Sequence, residues 1–169
     1  MKVGIIVLFI SFMLDGLLSI LLPYQLNDIT IFKPMFTIVS FILIYPYFNK
    51  DDHQFYKVTT IYGMFYDIVY TNTFPLNTLL FFLLALTVSF IHNILSSNII
   101  NMIIMTILTI TIFEFLNYFF LNIIDYTSIT FYEIIYKISH SLLINIIYVL
   151  ISYLILNKIS KKYKIKRID

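Results

Sequence analysis

Long apolar stretches broken by short polar runs organise this chain. Between residues 68 and 113 there is no Asp, Glu, Lys or Arg, which leaves room for two membrane-crossing helices of roughly 20 residues each. Elsewhere the breaks are abrupt: Pro23-Tyr24-Gln25-Leu26-Asn27-Asp28, Asn49-Lys50-Asp51-Asp52-His53-Gln54, Asn72-Thr73-Phe74-Pro75, and Asn93 with Ser96-Ser97-Asn98. They predict six spans, at 3–22, 31–48, 57–71, 76–92, 99–121 and 131–156. The second and third are short. The segments are rich in Ile, Phe and Tyr, a composition that suits strands. Strands are nevertheless excluded, because lipid-exposed backbone must be satisfied internally and a barrel needs alternating segments of about ten residues. Runs such as 101–113 are apolar on every side. The predicted fold is therefore all-α: a polytopic bundle of six transmembrane helices over residues 1–157, then a basic tail at 158–169.

Composition narrows the class further. Of the 169 residues 60% are hydrophobic and 12% charged, against about 25% charged in an ordinary soluble domain. Mean hydropathy is +0.93. A soluble domain of this size could not hide so much apolar surface, and disordered chains are charge-rich and aromatic-poor. The net charge of +2 arises from a short basic tail, which argues against nucleic acid as the main partner. Without Cys there is no disulfide framework, thiolate metal site or cysteine nucleophile.

The positive-inside bias orients the bundle. With six spans both ends share one side, which carries Lys2, Lys50, Lys57, Lys158, Lys161, Lys162, Lys164, Lys166 and Arg167, nine of the eleven basic residues. The other side holds Lys33, and Lys137 falls inside the sixth span. Both termini are thus expected in the cytoplasm. No small-residue cleavage site follows the first apolar stretch, so it reads as a retained helix. The six cations at 158–167 suit a topology anchor or contact with anionic lipid or an acidic partner.

Four ionisable groups lie within the predicted spans: Asp15, Asp67, Glu114 and Lys137. Such groups cost about 2.5–3.5 kcal/mol each on insertion scales and face a bundle interior or cavity. Helical spacing gives three inward stripes: Ser11, Asp15 and Ser19; Thr60, Gly63, Asp67 and Thr71; and Lys137, Ser141, Asn145, Tyr148 and Ser152. Gly63 would let a neighbouring backbone approach closely. At 1.5 Å per residue, Asp15, Glu114 and Lys137 lie roughly 10 Å below the outer boundary and Asp67 about 6 Å below it. The expectation is that Lys137 pairs with Glu114, or with Glu133 one turn away, and that at least one acid is protonated, since three acids and one base cannot all ionise cheaply in a dry core. Such a cluster suits a substrate cavity, a proton relay, polar glue between helices or a docking surface for a partner's helix.

Signatures of catalysis are missing. No zinc-binding HExxH helix, phosphate-binding glycine loop or GxSxG elbow occurs. The run Gly63-Met64-Phe65-Tyr66-Asp67 has the wrong spacing for the Gly-x-Gly-Asp of intramembrane aspartyl proteases. In this topology His53 and His92 are cytoplasmic and His140 enters from the other side, so the three would not form one metal site. No catalytic, cofactor-binding or metal residue is assigned.

One segment points to a family. Tyr62-Gly63-Met64-Phe65-Tyr66-Asp67-Ile68-Val69-Tyr70-Thr71 resembles the signature of the rod shape-determining protein MreD family, a Gly-hydrophobic-hydrophobic-Tyr-Asp run in the third helix. Further similarities follow in order: Lys33-Pro34 opening the second span, a short charged loop at 49–57, Glu114-Phe115 in the fifth, Leu142-Leu143-Ile144-Asn145 in the sixth, and the basic tail. The chain departs from the family at Thr73-Phe74-Pro75-Leu76, where many members carry a glycine.

The resemblance implies a non-enzymatic subunit of the bacterial elongasome in the cytoplasmic membrane, without cofactors, acting in side-wall peptidoglycan synthesis and rod cell shape. MreD-like proteins associate with MreC, a single-span coiled-coil protein. Through that complex they link MreB filaments to RodA and a class B penicillin-binding protein. Their fold is similar to the six-helix substrate-binding subunits of energy-coupling-factor transporters. Carried onto this chain, it makes Gly63, Tyr66 and Asp67 the core of a partner-binding bundle, followed by Asp15, Glu114 and Asn145. The alternative is a substrate-binding subunit of a vitamin or metal transporter, with the polar cluster as its pocket. Such subunits commonly dock through an Ala-x-x-x-Ala face on the first helix, whereas here the one alanine is Ala85.

Overall fold

A computed structural model of the protein describes residues 2–21, 33–48, 51–71, 73–123 and 130–162. Among these residues there are six α-helices and no strand. They are α1 (Lys2–Leu21), α2 (Phe36–Ile44, prolonged by a 3₁₀ turn at Tyr45–Phe48), α3 (Asp52–Tyr66, passing into a π turn at Asp67–Thr71), α4 (Leu76–Ile94), α5 (Ile99–Ile123) and α6 (Phe131–Lys162). Four of them, α1, α4, α5 and α6, are long and apolar enough to cross a membrane. The polar run at 23–28, Lys50 and the last cations of the tail lie outside the described residues.

The second helix explains the architecture. Every residue from Phe36 to Phe48 is buried, as expected of a helix that is hydrophobic all round. It touches α1, α4, α5 and α6, so the longer helices surround it. Those outer helices keep one apolar side exposed, including Phe9 and Leu17 of α1, Phe90 of α4, Ile100 of α5 and Leu154 of α6. In lipid such surface needs no cover, and helices cohere through close packing and polar contacts instead. Phe55 of α3 is the hub of that packing, with ring centroids 6.5, 5.1 and 5.6 Å from Phe41, Tyr45 and Phe48.

Both ends of α2 are tied by side chains. At its C-terminal end the Tyr45 hydroxyl donates to Asp52 Oδ1 at 2.8 Å and lies 3.2 Å from Ser89 Oγ. The Tyr47 hydroxyl pairs with Ser160 Oγ at 2.7 Å. These contacts join α2 to α3, α4 and α6.

The helix ends differ most from the predicted spans in three places. Helix α2 starts at Phe36 rather than 31, because Pro34 disfavours helical backbone at Lys33. Helix α3 starts at Asp52 rather than 57. The Asp51 side chain accepts the Gln54 N–H at 3.1 Å and caps it, so the charges read as a loop occupy its first turns. Helix α6 runs unbroken for 32 residues to Lys162, so Lys158, Lys161 and Lys162 are helical. At about 48 Å it outreaches a hydrocarbon core of about 30 Å.

Candidate functional site

A helix leaves its first N–H groups without partners, and in hydrocarbon each such group is expensive. Helices α2 and α4 begin on Met35 and Pro75, neither of which offers a capping side chain. In both cases an aspartate from another helix takes that place.

Asp67, at the end of α3, serves α4. Its Oδ1 accepts from the Asn77 N–H at 2.9 Å, Asn77 Nδ2 at 3.0 Å and Thr73 Oγ1 at 3.2 Å. Its Oδ2 accepts from the Thr78 N–H and Thr78 Oγ1, both at 2.8 Å. A negative charge is also favoured at a helix N-terminus by the macrodipole. Gly63, one turn earlier, makes the approach possible: a Cβ there would lie 2.7 Å from the Asn77 carbonyl oxygen and 2.8 Å from Thr78 Cα. Tyr66 packs its ring against Phe12 of α1, Tyr70 and Phe81 of α4 at centroid distances of 6.3, 5.0 and 5.3 Å. The Gly-x-x-Tyr-Asp run thus has a physical meaning. The glycine admits the first turn of α4, the aspartate caps it, and the tyrosine wedges both against α1.

Asp15, on α1, serves α2. Its two oxygens accept the Phe36 and Thr37 N–H groups, each at 2.8 Å. Asn145 of α6 completes the cap: Oδ1 accepts from the Met35 N–H at 2.9 Å, and Nδ2 donates to the Lys33 and Ser141 carbonyls at 3.1 and 2.8 Å. Tyr148 stacks on Phe36 at 4.1 Å, and its hydroxyl lies 2.6 Å from Ser11 Oγ, itself donating to the Val7 carbonyl. Gly16 lies under Tyr70, whose hydroxyl a Cβ would strike. That hydroxyl donates to the Phe12 carbonyl at 2.7 Å.

Glu114 of α5 takes Lys33, with Nζ 3.1 Å from Oε1 and 5.7 Å above the Phe113 ring. This corrects the expected pairing of Lys137 with Glu114 or Glu133. Lys33 enters the bundle from the start of α2, where a span beginning at 31 had placed it at the outer edge. Glu133 instead turns back to accept the Thr130 N–H at 2.8 Å, capping α6. Lys137 stays within Coulombic range of Lys33, Glu114 and Glu133. The expected protonation of at least one acid rests on three acids competing for one base. In the structure each acid has donors of its own.

Two of the three stripes need adjustment. On α3 the buried row is Phe55, Thr59, Gly63 and Asp67, while Thr60 is half-buried and Thr71 exposed. On α6 it is Ile134, Ser141, Asn145 and Val149, with Lys137 half-buried. Ser11 and Asp15 are buried on α1 and Ser19 is partly so. Sequence reasoning missed Asn77, Thr78 and Gly16. An Asn-Thr pair opening a helix was the available sign of the first two. Between the caps lies a cavity of about 350 Å³, lined by Ser19, Lys33, Tyr66, Tyr70, Asn77 and Asn117 among others. Among the described residues no three His, Asp or Glu side chains are grouped as a metal ion would require.

Fold and site together define a class: an all-helical, multi-pass membrane protein whose buried acids hold the ends of neighbouring helices. Residues 1–163 match the family described as rod shape-determining protein MreD. The chain belongs to that family, whose members act in rod cell shape. No curated protein and no solved structure matches the chain.

Proposed function

We propose that the protein is a non-enzymatic subunit of the elongasome in the bacterial cytoplasmic membrane. It crosses the membrane six times with both termini in the cytoplasm, α2 and α3 being the short crossings. It binds an MreC-type single-span partner and through it helps couple MreB filaments to RodA and a class B penicillin-binding protein. The observation that carries this reading is family membership over residues 1–163. The engagement of Asp15, Asp67 and Glu114 in caps and an ion pair supports a scaffold rather than a site of chemistry. Gly63, Tyr66 and Asp67 then act on the partner indirectly, by fixing how α3, α4 and α1 present their outer faces.

The cavity between the caps favours a second reading, a substrate-binding subunit of an energy-coupling-factor transporter, in which Lys33, Asn77 and Asn117 would meet a small polar ligand. Purification of the tagged chain from gently solubilised host membranes separates the two. Recovery of a coiled-coil single-span protein, reduced by Asp67→Asn, is expected. Recovery of two ATPases with a shared membrane coupling subunit would overturn the scaffold reading.

A further inference from the structure

The apolar surface of the bundle is not uniform. Helix α1 packs mainly on α2, and α6 packs on α5 and α2. The seam between α1 and α6 is left as a groove of about 510 Å³. It runs between residues 3 and 14 of α1 and between 148 and 159 of the antiparallel α6. Twelve residues of helix on either wall, eleven rises of about 1.5 Å, make it about 16 Å long, close to one leaflet, half of a hydrocarbon core of about 30 Å. A partner's transmembrane helix would need the whole thickness. The groove is closed at its far end by the hydrogen bond between Tyr148 and Ser11, 2.6 Å.

Its open end is charged. Lys2 lies four residues before Ile6 and therefore continues the Ile6–Ile10 row of the α1 wall. Lys158 lies three residues after Ile155 and continues the Ile151–Ile155 row of the α6 wall. Both lysines are exposed. An apolar slot one leaflet deep with a cation on each lip matches one chemistry: a fatty acyl chain ending in an anionic phosphate headgroup. We propose that this groove holds an anionic phospholipid of the terminal-bearing leaflet as a resident ligand. The acyl chain fills the α1–α6 seam, and the headgroup sits between Lys2 and Lys158. The lipid would couple α1, the helix that caps α2 through Asp15, to α6, which caps it through Asn145.

Native mass spectrometry of the detergent-purified full chain, equilibrated with equal amounts of palmitoyl-oleoyl phosphatidylglycerol and phosphatidylcholine, tests this. The expected result is one retained lipid with phosphatidylglycerol favoured about tenfold, a difference of about 1.4 kcal/mol in line with basic residues at an anionic surface. The double variant Lys2→Gln/Lys158→Gln, altered only at exposed helix ends, should lose the preference. Ser152→Phe, which fills the slot, should lose the bound lipid of either kind. Equal retention of both lipids by the native chain, or a preference unchanged in the lysine variant, would overturn the proposal. So would a folded Ser152→Phe protein that keeps its lipid, or a native chain that retains no lipid while Ser152→Phe loses a co-purifying single-span protein, since the groove would then belong to a partner's helix.

Discussion

Asp67 and Asp15 each close the first turn of a helix other than their own, yet they draw their donors from very different distances along the chain. Asp67 reaches Thr73, Asn77 and Thr78, six to eleven residues away. Asp15 reaches Phe36 and Thr37 across 21 and 22 residues, and its cap is complete only with Asn145, 110 residues beyond Met35. The first cap is a property of one hairpin, α3 and α4. The second is a property of the assembled bundle, because α1, α5 and α6 all send side chains to the start of α2. A local cap can form as soon as two neighbouring helices meet. The distributed one registers whether the rest of the bundle has closed around α2.

Substitutions that separate the two caps should fall in a definite order of cost. The largest effect belongs to Gly63→Val. Its Cβ would sit against backbone atoms of Asn77 and Thr78, which cannot swing aside as a side chain can. Overpacking usually costs about 1–3 kcal/mol, and obstruction by backbone places this change at or above the upper end. Thermal unfolding in detergent should show loss of the folded protein.

Next come the acids themselves. Asp67→Ala strands two backbone N–H groups and three side-chain donors, Asp15→Ala two backbone N–H groups. At about 1–3 kcal/mol per unsatisfied buried donor, less what the polar side chains recover by turning elsewhere, Asp67→Ala should cost more. Equal losses in the same unfolding assay would mean that the two caps are not of different strength.

The smallest effect concerns the ion pair. Lys33→Met leaves Glu114 without its ammonium partner, where Lys137→Met removes a half-buried cation that Glu114 does not contact as a salt bridge. Because Lys33 is 27% exposed, the loss should be about 1–2 kcal/mol, between the values for surface and buried pairs. An unchanged unfolding temperature in Lys33→Met would count against the pair.

How much was legible follows the same division. Helical character, the starts of α4 and α5, and the burial of Asp15, Gly63 and Asp67 could be read from hydropathy and spacing, since those properties depend on residues within a turn or two. Asp51 and Gln54, three apart, were a readable cap that would have moved the start of α3 to Asp52. The ownership of Glu114 was not readable. By spacing Lys137 lies at its depth and Lys33 at the outer edge, and only the contacts of the 33–35 segment with α5 and α6 decide between them. The complete burial of α2 was likewise hidden. An apolar run says that a helix avoids water, not whether protein or lipid surrounds it.

The most direct test of the central claim, that Asp67 and Asp15 are caps for α4 and α2 respectively, is residue-resolved amide hydrogen exchange on the native protein and on Asp67→Asn and Asp15→Asn in one detergent. Asp67→Asn should speed exchange at Asn77 and Thr78 and leave Phe36 and Thr37 protected. Asp15→Asn should do the reverse. Unchanged protection at Asn77 and Thr78 in Asp67→Asn, or equal acceleration at both helix starts in either variant, would contradict the account.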